Sequence, residues 1–354
     1  MVGSPEPEVI RLPEAADGIR DTFGRPVRDL RISVTDRCNF RCVYCMPKAI
    51  FGPGYRFLKM QNLLTYEEME RLSRIFVGLG VHKLRLTGGE PLVRRHIERL
   101  IRMLAALPNV DIALTTNGSL LTDKAAGLAE AGLKRITVSL DSLDNDTFMA
   151  MNDVEFPVHK VLAGIDAAAE AGLTPIKINM VVKRGANEDS IVPMARHFQG
   201  TGVVVRFIEY MDVGNANGWR MDDVVTASEI VSMIDAEMPI EPVAPNYRGE
   251  VANRWRYRDG SGEIGVVASV SQPFCGTCTR ARLSSEGKLY TCLFAVHGHD
   301  LRTPMREGAS DEELAAQITG IWQGRADRYS EIRSSHTPGS LPQLPKVEMS
   351  HIGG

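Results

Sequence analysis

The sequence predicts an α/β fold built from six consecutive strand–helix units, and three observations lead there. Short runs rich in aliphatic and β-branched residues recur over 30–35, 83–87, 110–115, 135–140, 176–182 and 203–209. Stretches with helical start and stop signals separate them. Polar or glycine-rich residues follow the strands, where ligands gather in parallel α/β folds. Alternation of this kind implies a parallel sheet with helices outside it. It fits either an incomplete (β/α)6 barrel of TIM type or a doubly wound sheet.

Taken in order, residues 1–28 hold four prolines and no sustained hydrophobic period, which predicts a flexible lead-in. The first strand runs straight into Cys38, Cys42 and Cys45. Thr65 followed by Glu68 has the form of a capping box and starts the first helix. The second strand ends at Gly88-Gly89-Glu90-Pro91, and a helix is expected over 95–106. The third strand ends near Thr115-Thr116-Asn117-Gly118, and the next helix closes at Gly132, a residue suited to the left-handed cap. Further helices are expected over 158–171 and 189–198.

Beyond Asp212 the alternation stops. The reading divides the chain into a barrel over 29–212, a second region over 213–333, and a tail over 334–354 that composition predicts to be flexible and that ends Gly353-Gly354. The second region offers a hairpin, 254–258 with 263–267 around a glycine-rich turn, and a helix over 311–323 behind Ser310.

Composition narrows the function classes. Of 354 residues, 44% are hydrophobic and 24% charged, the balance of a globular chain with a sizeable core. No apolar run approaches the roughly 20 residues that span a bilayer. The acidic, proline-bearing start lacks secretory-signal form, so a cytoplasmic location without membrane association is expected. Formal net charge is −3, which gives no bulk attraction for nucleic acid.

Six cysteines are too few for a disulfide scaffold, and they fall into two groups: Cys38, Cys42, Cys45, and Cys275, Cys278, Cys292. Three thiolates on one tight loop suit a metal centre, and a four-iron cluster held by three leaves one iron without a protein ligand. The plain alternative for the first group is structural zinc, which wants four ligands; His82 and His96 are remote in sequence. For the second group zinc is a stronger alternative, with His297 or His299 as a fourth ligand. Arg31, Lys83, Arg85 and Lys177 sit on expected barrel strands, and Arg280 and Arg282 beside the second group. Cations are rarely placed in a barrel interior without an anion. They point to a polyanionic ligand, against the plainer readings of an ion pair with Asp36, Glu90 or Glu209 or a solvated strand face. The glycine pair is expected to let a ligand approach the backbone, with Glu90 placed to take an ammonium group.

These motifs also carry a resemblance. Residues 30–47 with their three cysteines, 85–91 (Arg-Leu-Thr-Gly-Gly-Glu-Pro), 114–118, 274–282 and the closing Gly353-Gly354 are similar to the GTP 3′,8-cyclase family of the radical SAM superfamily, which opens molybdenum cofactor biosynthesis. The resemblance runs from about Gly18 to the last residue. It implies the incomplete (β/α)6 barrel with a C-terminal iron–sulfur extension. It also implies a lyase that converts GTP to (8S)-3′,8-cyclo-7,8-dihydroguanosine 5′-triphosphate.

By the same resemblance, Cys38, Cys42 and Cys45 hold a [4Fe-4S] cluster that binds S-adenosylmethionine, contacted by Tyr44, Gly89, Glu90, Ser139 and Met211. Cys275, Cys278 and Cys292 hold a second [4Fe-4S] cluster that takes the guanine. Arg31, Arg85, Thr115, Lys177, Arg280 and Arg282 line the GTP site, with Thr116 the alternative to Thr115. Gly353 and Gly354 are candidates to reach the reacting centre. Implied partners are a reductant such as flavodoxin or ferredoxin and a hand-off to cyclic pyranopterin monophosphate synthase; a homodimer is left open. The rival readings are a radical SAM peptide maturase with auxiliary clusters and a non-catalytic iron–sulfur or zinc protein.

Overall fold

Every strand expected before residue 210 forms, and the six lie side by side in chain order. They are β1 (Asp29–Ser33), β2 (Lys83–Thr87), β3 (Asp111–Thr116), β4 (Arg135–Ser139), β5 (Ile176–Val182) and β6 (Val204–Glu209). Each is parallel to the next. The computed structural model describes residues 18–333 and 346–354.

The intervening helices are α1 (Tyr66–Gly78), α2 (Ile97–Ala105), α3 (Leu121–Glu130), α4 (Asn145–Asn152), α5 (Val158–Glu170) and α6 (Ile191–Phe198). Thr65 and Glu68 form the expected capping box on α1. The short α4 has no counterpart in the sequence reading, although Asp144 caps it by accepting from Thr147 N.

After β6 come α7 (Ala227–Glu237) and six further strands. These are β7 (Ile240–Val243), β8 (Asn253–Tyr257), β9 (Glu263–Val267), β10 (Arg280–Leu283), β11 (Lys288–Tyr290) and β12 (His299–Asp300). Among the described residues four helices follow: α8 (Arg302–Arg306), α9 (Asp311–Gln323), α10 (Tyr329–Arg333) and α11 (Met349–Ile352). The later strands extend the first sheet at both edges, in the order β12-β11-β10-β1-β2-β3-β4-β5-β6-β9-β8-β7. β10 is parallel to β1 and β9 parallel to β6, while the outermost hairpins are antiparallel. The order is open, so the barrel is incomplete.

Side chains alternate across the six strands. Leu30, Ile32, Leu84, Leu86, Leu114, Val138, Ile178, Met180 and Phe207 face the helices and are fully buried. The other face carries Arg31, Arg85, Thr115, Thr137, Lys177 and Arg206 toward one cavity. Strands of parallel barrels are ordinarily apolar on both faces. A polar inner face here makes the interior a ligand space, where a closed (β/α)8 barrel has a packed core.

Two expectations about the ends are corrected where the chain is described; residues 1–17 and 334–345 lie outside the described part. Within the expected lead-in, residues 18–28 are packed: Val27 is fully buried, and Asp21 and Arg25 are buried as an ion pair. Within the expected flexible tail, 346–354 folds onto the barrel mouth, with Ile352 fully buried. Lys346 Nζ pairs with Asp212 at 2.8 Å, and Asn215 N donates to Glu348 at 2.9 Å. Composition missed both segments because much of what holds them, such as Arg325 for the first and Asp212 and Asn215 for the second, lies far away in sequence.

Candidate active site

A cavity of about 340 Å³ lies at the carboxyl ends of the strands, and all six cysteines line it. That volume falls in the range of small-molecule sites. The cavity is bounded by the first cysteine loop, the inner strand faces, the second cysteine group and the C-terminal residues.

The first loop is held by backbone geometry. Cys45 N and Met46 N both donate to Cys42 O at 2.9 Å. Gly89 N donates to Thr35 O and Glu90 N to Arg37 O, each at 2.8 Å, so the turn after β2 lies directly on the loop. A Cβ on Gly89 would stand 2.2 Å from Arg37 O, and one on Gly88 would stand 2.5 Å from Thr35 O. The glycine pair therefore makes room for the loop's own backbone, and both glycines also line the cavity.

Glu90 is buried, and three donors fix its carboxylate: Asn117 N and Thr116 Oγ1 at 2.7 Å and Leu92 N at 2.9 Å. Burial pushes its pKa up to about 7 against those hydrogen bonds. A cation beside it would reverse that shift. Tyr44 is likewise buried, its hydroxyl donating to Asp141 at 2.8 Å, and burial raises Asp141 to about 6. Ser139 and Met211 also line the cavity.

Burial raises the Cys38 thiol to about 12 and Cys42 and Cys45 well above their ordinary value, with the neighbouring thiols adding to the shift in Cys42 and Cys45. Three facing thiols that resist ionisation alone are a donor set that a cationic centre satisfies. Among the described residues no three His, Cys, Asp or Glu side chains converge on a single-ion site. A cubane takes each thiolate on a separate iron, so a wider spread suits it.

The second trio sits in a different field. Arg280 donates from Nε and Nη2 to Cys278 Sγ, each at 3.3 Å. Burial alone would raise Cys278, but Arg280 and Arg325 bring it down to about 6, while burial raises Cys292 to about 12. His297 and His299, the fourth ligands that a zinc reading needs, do not line this cavity. Arg282 is buried and donates through Nη1 to Gly353 O, tying the C-terminal residues to β10.

Between the trios the strand cations face one another. Arg85 Nη1 donates to Thr115 Oγ1 at 3.0 Å and Thr137 Oγ1 at 3.2 Å. Thr115 thus belongs to the arginine side, whereas Thr116 belongs to Glu90. Burial, with Arg206 and other cations, lowers Lys177 to about 7; burial lowers Lys83 to about 8. Burial and neighbouring arginines also lower Arg31. Their expected carboxylate partners are otherwise engaged: Glu209 accepts from Ala227 N, Val270 N and Ser271, and Asp36 from Leu58 N. Lys83 lies 3.8 Å from the Asp29 carboxylate and donates to the Tyr247 hydroxyl at 3.2 Å.

The sequence reading missed Arg135, Arg206 and Tyr247, which also line the cavity. Arg135 and Arg206 stand two residues before Thr137 and Ile208, so strand alternation would have exposed them. Arg206 Nε and Asn179 Oδ1 are buried without a hydrogen-bond partner among the described residues. Such a surplus of desolvated cations and unused polar atoms fits a polyanionic ligand.

Open parallel sheet, three-cysteine loop after β1 and glycine turn after β2 together define a radical SAM protein, and a radical SAM superfamily profile matches residues 32–198. A Molybdenum Cofactor Synthesis C profile matches residues 203–331. The chain is 54% identical to the GTP 3′,8-cyclase of Acidothermus cellulolyticus, across 95% of this chain and 99% of that one. It is 50% identical to the GTP 3′,8-cyclase of Staphylococcus carnosus over the same shares. The chain belongs to the GTP 3′,8-cyclase family. In fold it resembles Streptococcus suis SuiB bound to S-adenosylmethionine, with a TM-score of 0.59 and 15% identity, covering 89% of this chain and 69% of that one. Among the described residues no helix is long and apolar enough to cross a membrane.

Proposed function

We propose that the chain is a cytoplasmic lyase that cyclises GTP to (8S)-3′,8-cyclo-7,8-dihydroguanosine 5′-triphosphate, using a [4Fe-4S] cluster on each cysteine trio. The observation that carries this reading is the cationic inner face of the barrel, set between two trios of thiols in one cavity. When bound, the first cluster and S-adenosylmethionine supply a carbon-centred radical able to remove hydrogen from ribose C3′.

The chain's own residues bind and orient. Glu90 is a fixed buried carboxylate for the cofactor's ammonium group, and Tyr44, Gly89, Ser139 and Met211 lie around it. Lys83, Arg85, Lys177 and Arg206 supply the charge for a triphosphate, with Arg31 and Thr115 beside them. Arg280 and Arg282 sit next to the second trio, where the guanine would be held. Gly353 and Gly354 close the cavity and exclude water, which strengthens every charge interaction inside it. A flavodoxin- or ferredoxin-type reductant and a downstream cyclic pyranopterin monophosphate synthase complete the reading. A peptide maturase has less support, because a polycationic interior suits a nucleotide better than a peptide backbone.

Titration gives a test independent of turnover. The free protein holds Lys177 near 7 and Lys83 near 8, against an ordinary 10.5. Unfolded, these lysines keep their protons up to about 10.5, so their penalty on the ligand-free fold is full below pH 7 and fades as pH rises toward 10.5. A bound triphosphate restores the protonated form. GTP binding should therefore take up protons near pH 8 and weaken roughly tenfold or more from about pH 7.5 to about 8.5. Calorimetry in buffers of different ionisation enthalpy reads this directly; a flat affinity with no proton uptake would place the triphosphate elsewhere.

Loading is read separately. About eight irons per chain are expected from two four-iron clusters, and four irons with one zinc would count against guanine ligation at the second trio.

A further inference from the structure

Asp21, Arg25 and Arg325 form a buried ion cluster behind the second cysteine trio, assembled from the segment before β1 and the segment after α9. All three side chains are at least nine-tenths buried. Arg25 Nε donates to Asp21 Oδ2 at 2.6 Å, and Arg325 Nη1 donates to the same oxygen at 3.1 Å. Asp21 Oδ1 accepts from Arg25 N at 2.9 Å and Phe23 N at 3.0 Å.

Further donors reach the cysteine-bearing backbone, and Arg25 Nη1 also donates to Asp327 O at 2.9 Å. Arg25 Nη1 donates to Cys275 O at 2.7 Å, and Arg325 Nη1 donates to Cys278 O at 2.8 Å. Arg325 Nε donates at 3.1 Å to the carbonyl of Thr291, the residue before Cys292. Each of the three ligand positions thus has a carbonyl held in or next to it. Arg25 Nη2 has no hydrogen-bond partner among the described residues.

Buried ion clusters seldom stabilise a fold on net, since desolvation offsets the attraction. Their retention therefore asks for another reason, and here the hydrogen bonds lead to the metal ligands. Partners behind the ligands orient them and tune the electronics of iron–sulfur centres.

We propose that Asp21, Arg25 and Arg325 are positioning residues for the second cluster. The two guanidiniums fix the three cysteine stretches in mutual register, and their charge balance with Asp21 sets how readily the cluster accepts an electron. Asp327 is the nearest other acid, its carboxylate 3.4 Å from Arg325 Nε, and Arg280 faces Cys278 from β10. The inference rests on the two-cluster reading above.

The test uses the full chain reconstituted anaerobically with iron and sulfide. Iron per chain and the midpoint potential of the second cluster are followed by electron paramagnetic resonance, with the first cluster as internal control. Arg325→Gln removes a positive charge and two carbonyl contacts. It should at least halve occupancy of the second site and lower the potential of what remains by about 59 mV, a tenfold change in reduced-to-oxidised ratio. Asp21→Asn removes a negative charge and should shift the potential upward. Arg325→Lys keeps the charge and loses the fork, so its potential should stay near wild type while occupancy falls.

Opposite shifts from Asp21→Asn and Arg325→Gln are a signature that loosened packing does not produce. If Arg325→Gln loses the second cluster outright while the first stays full, the positioning role stands and the sign is read from Asp21→Asn, with Arg325→Lys as the charge-conserving control. Unmoved potentials and full occupancy in a wild type carrying about eight irons would overturn the inference alone. About four irons in the wild type would overturn the two-cluster reading and the inference with it.

Discussion

Gly353→Ala should leave both clusters and the fold in place and cut turnover by about 100-fold or more, the cost of small misplacements at a reacting centre. Gly353 has φ +78°, and a Cβ there would stand 2.3 Å from Thr87 Cγ2 at the end of β2. Left-handed backbone at a non-glycine residue adds about 1–3 kcal/mol of strain. Thr87 is buried in the strand and has nowhere to retreat. The cheapest escape is for the last two residues to leave the cavity, breaking the contact between Arg282 and Gly353 O. Upstream anchors persist, because Lys346, Glu348 and His351 hold the segment through Asp212, Asn215 and Glu286. Removing Gly353 and Gly354 together should abolish turnover with iron content unchanged. Gly354→Ala should do less, since the atoms nearest its Cβ would belong to the Met349 side chain, which can move. Product formation against iron and sulfide content checks the series; full activity in the deletion would show these residues to be passive.

Lys177→Met should raise the stability of the ligand-free protein while nearly eliminating GTP binding. Burial and the repulsion of Arg206, Lys83, Arg135 and Arg85 hold the free lysine near 7. Removing it relieves a penalty on the order of a few kcal/mol at neutral pH. The complex loses one partner of a buried charge pair, worth about 2–5 kcal/mol, or roughly 30- to 5000-fold in Kd. Thermal unfolding with and without GTP separates the two effects. A variant less stable without ligand, yet binding GTP as before, would make Lys177 a structural residue.

The strands, the capping box on α1 and both cysteine trios were legible because each is a local pattern of period two, a cap pair or a close spacing. All six expected GTP-side residues lie on the inner strand face or on β10, as alternation requires, and Thr115 parted from Thr116 once Arg85 and Glu90 were seen. What stayed hidden depends on distant pairing. Nothing near Arg280 announces that it will pair with Asp29, nor near Ile264 that it will pair with Val205. The order in 18–28 and 346–354 comes from Arg325, Asp212 and Glu286, none of them a sequence neighbour. The glycine pair was legible as a tight turn, but what it approaches is the cysteine loop, a fact of three dimensions.

GTP deuterated at ribose C3′, given to protein carrying about eight irons with S-adenosylmethionine and a low-potential reductant under anaerobic conditions, tests the assignment most directly. Deuterium should appear in 5′-deoxyadenosine, in step with a 3′,8-cyclised nucleotide. Unlabelled 5′-deoxyadenosine beside unchanged GTP, with both clusters full, would contradict it.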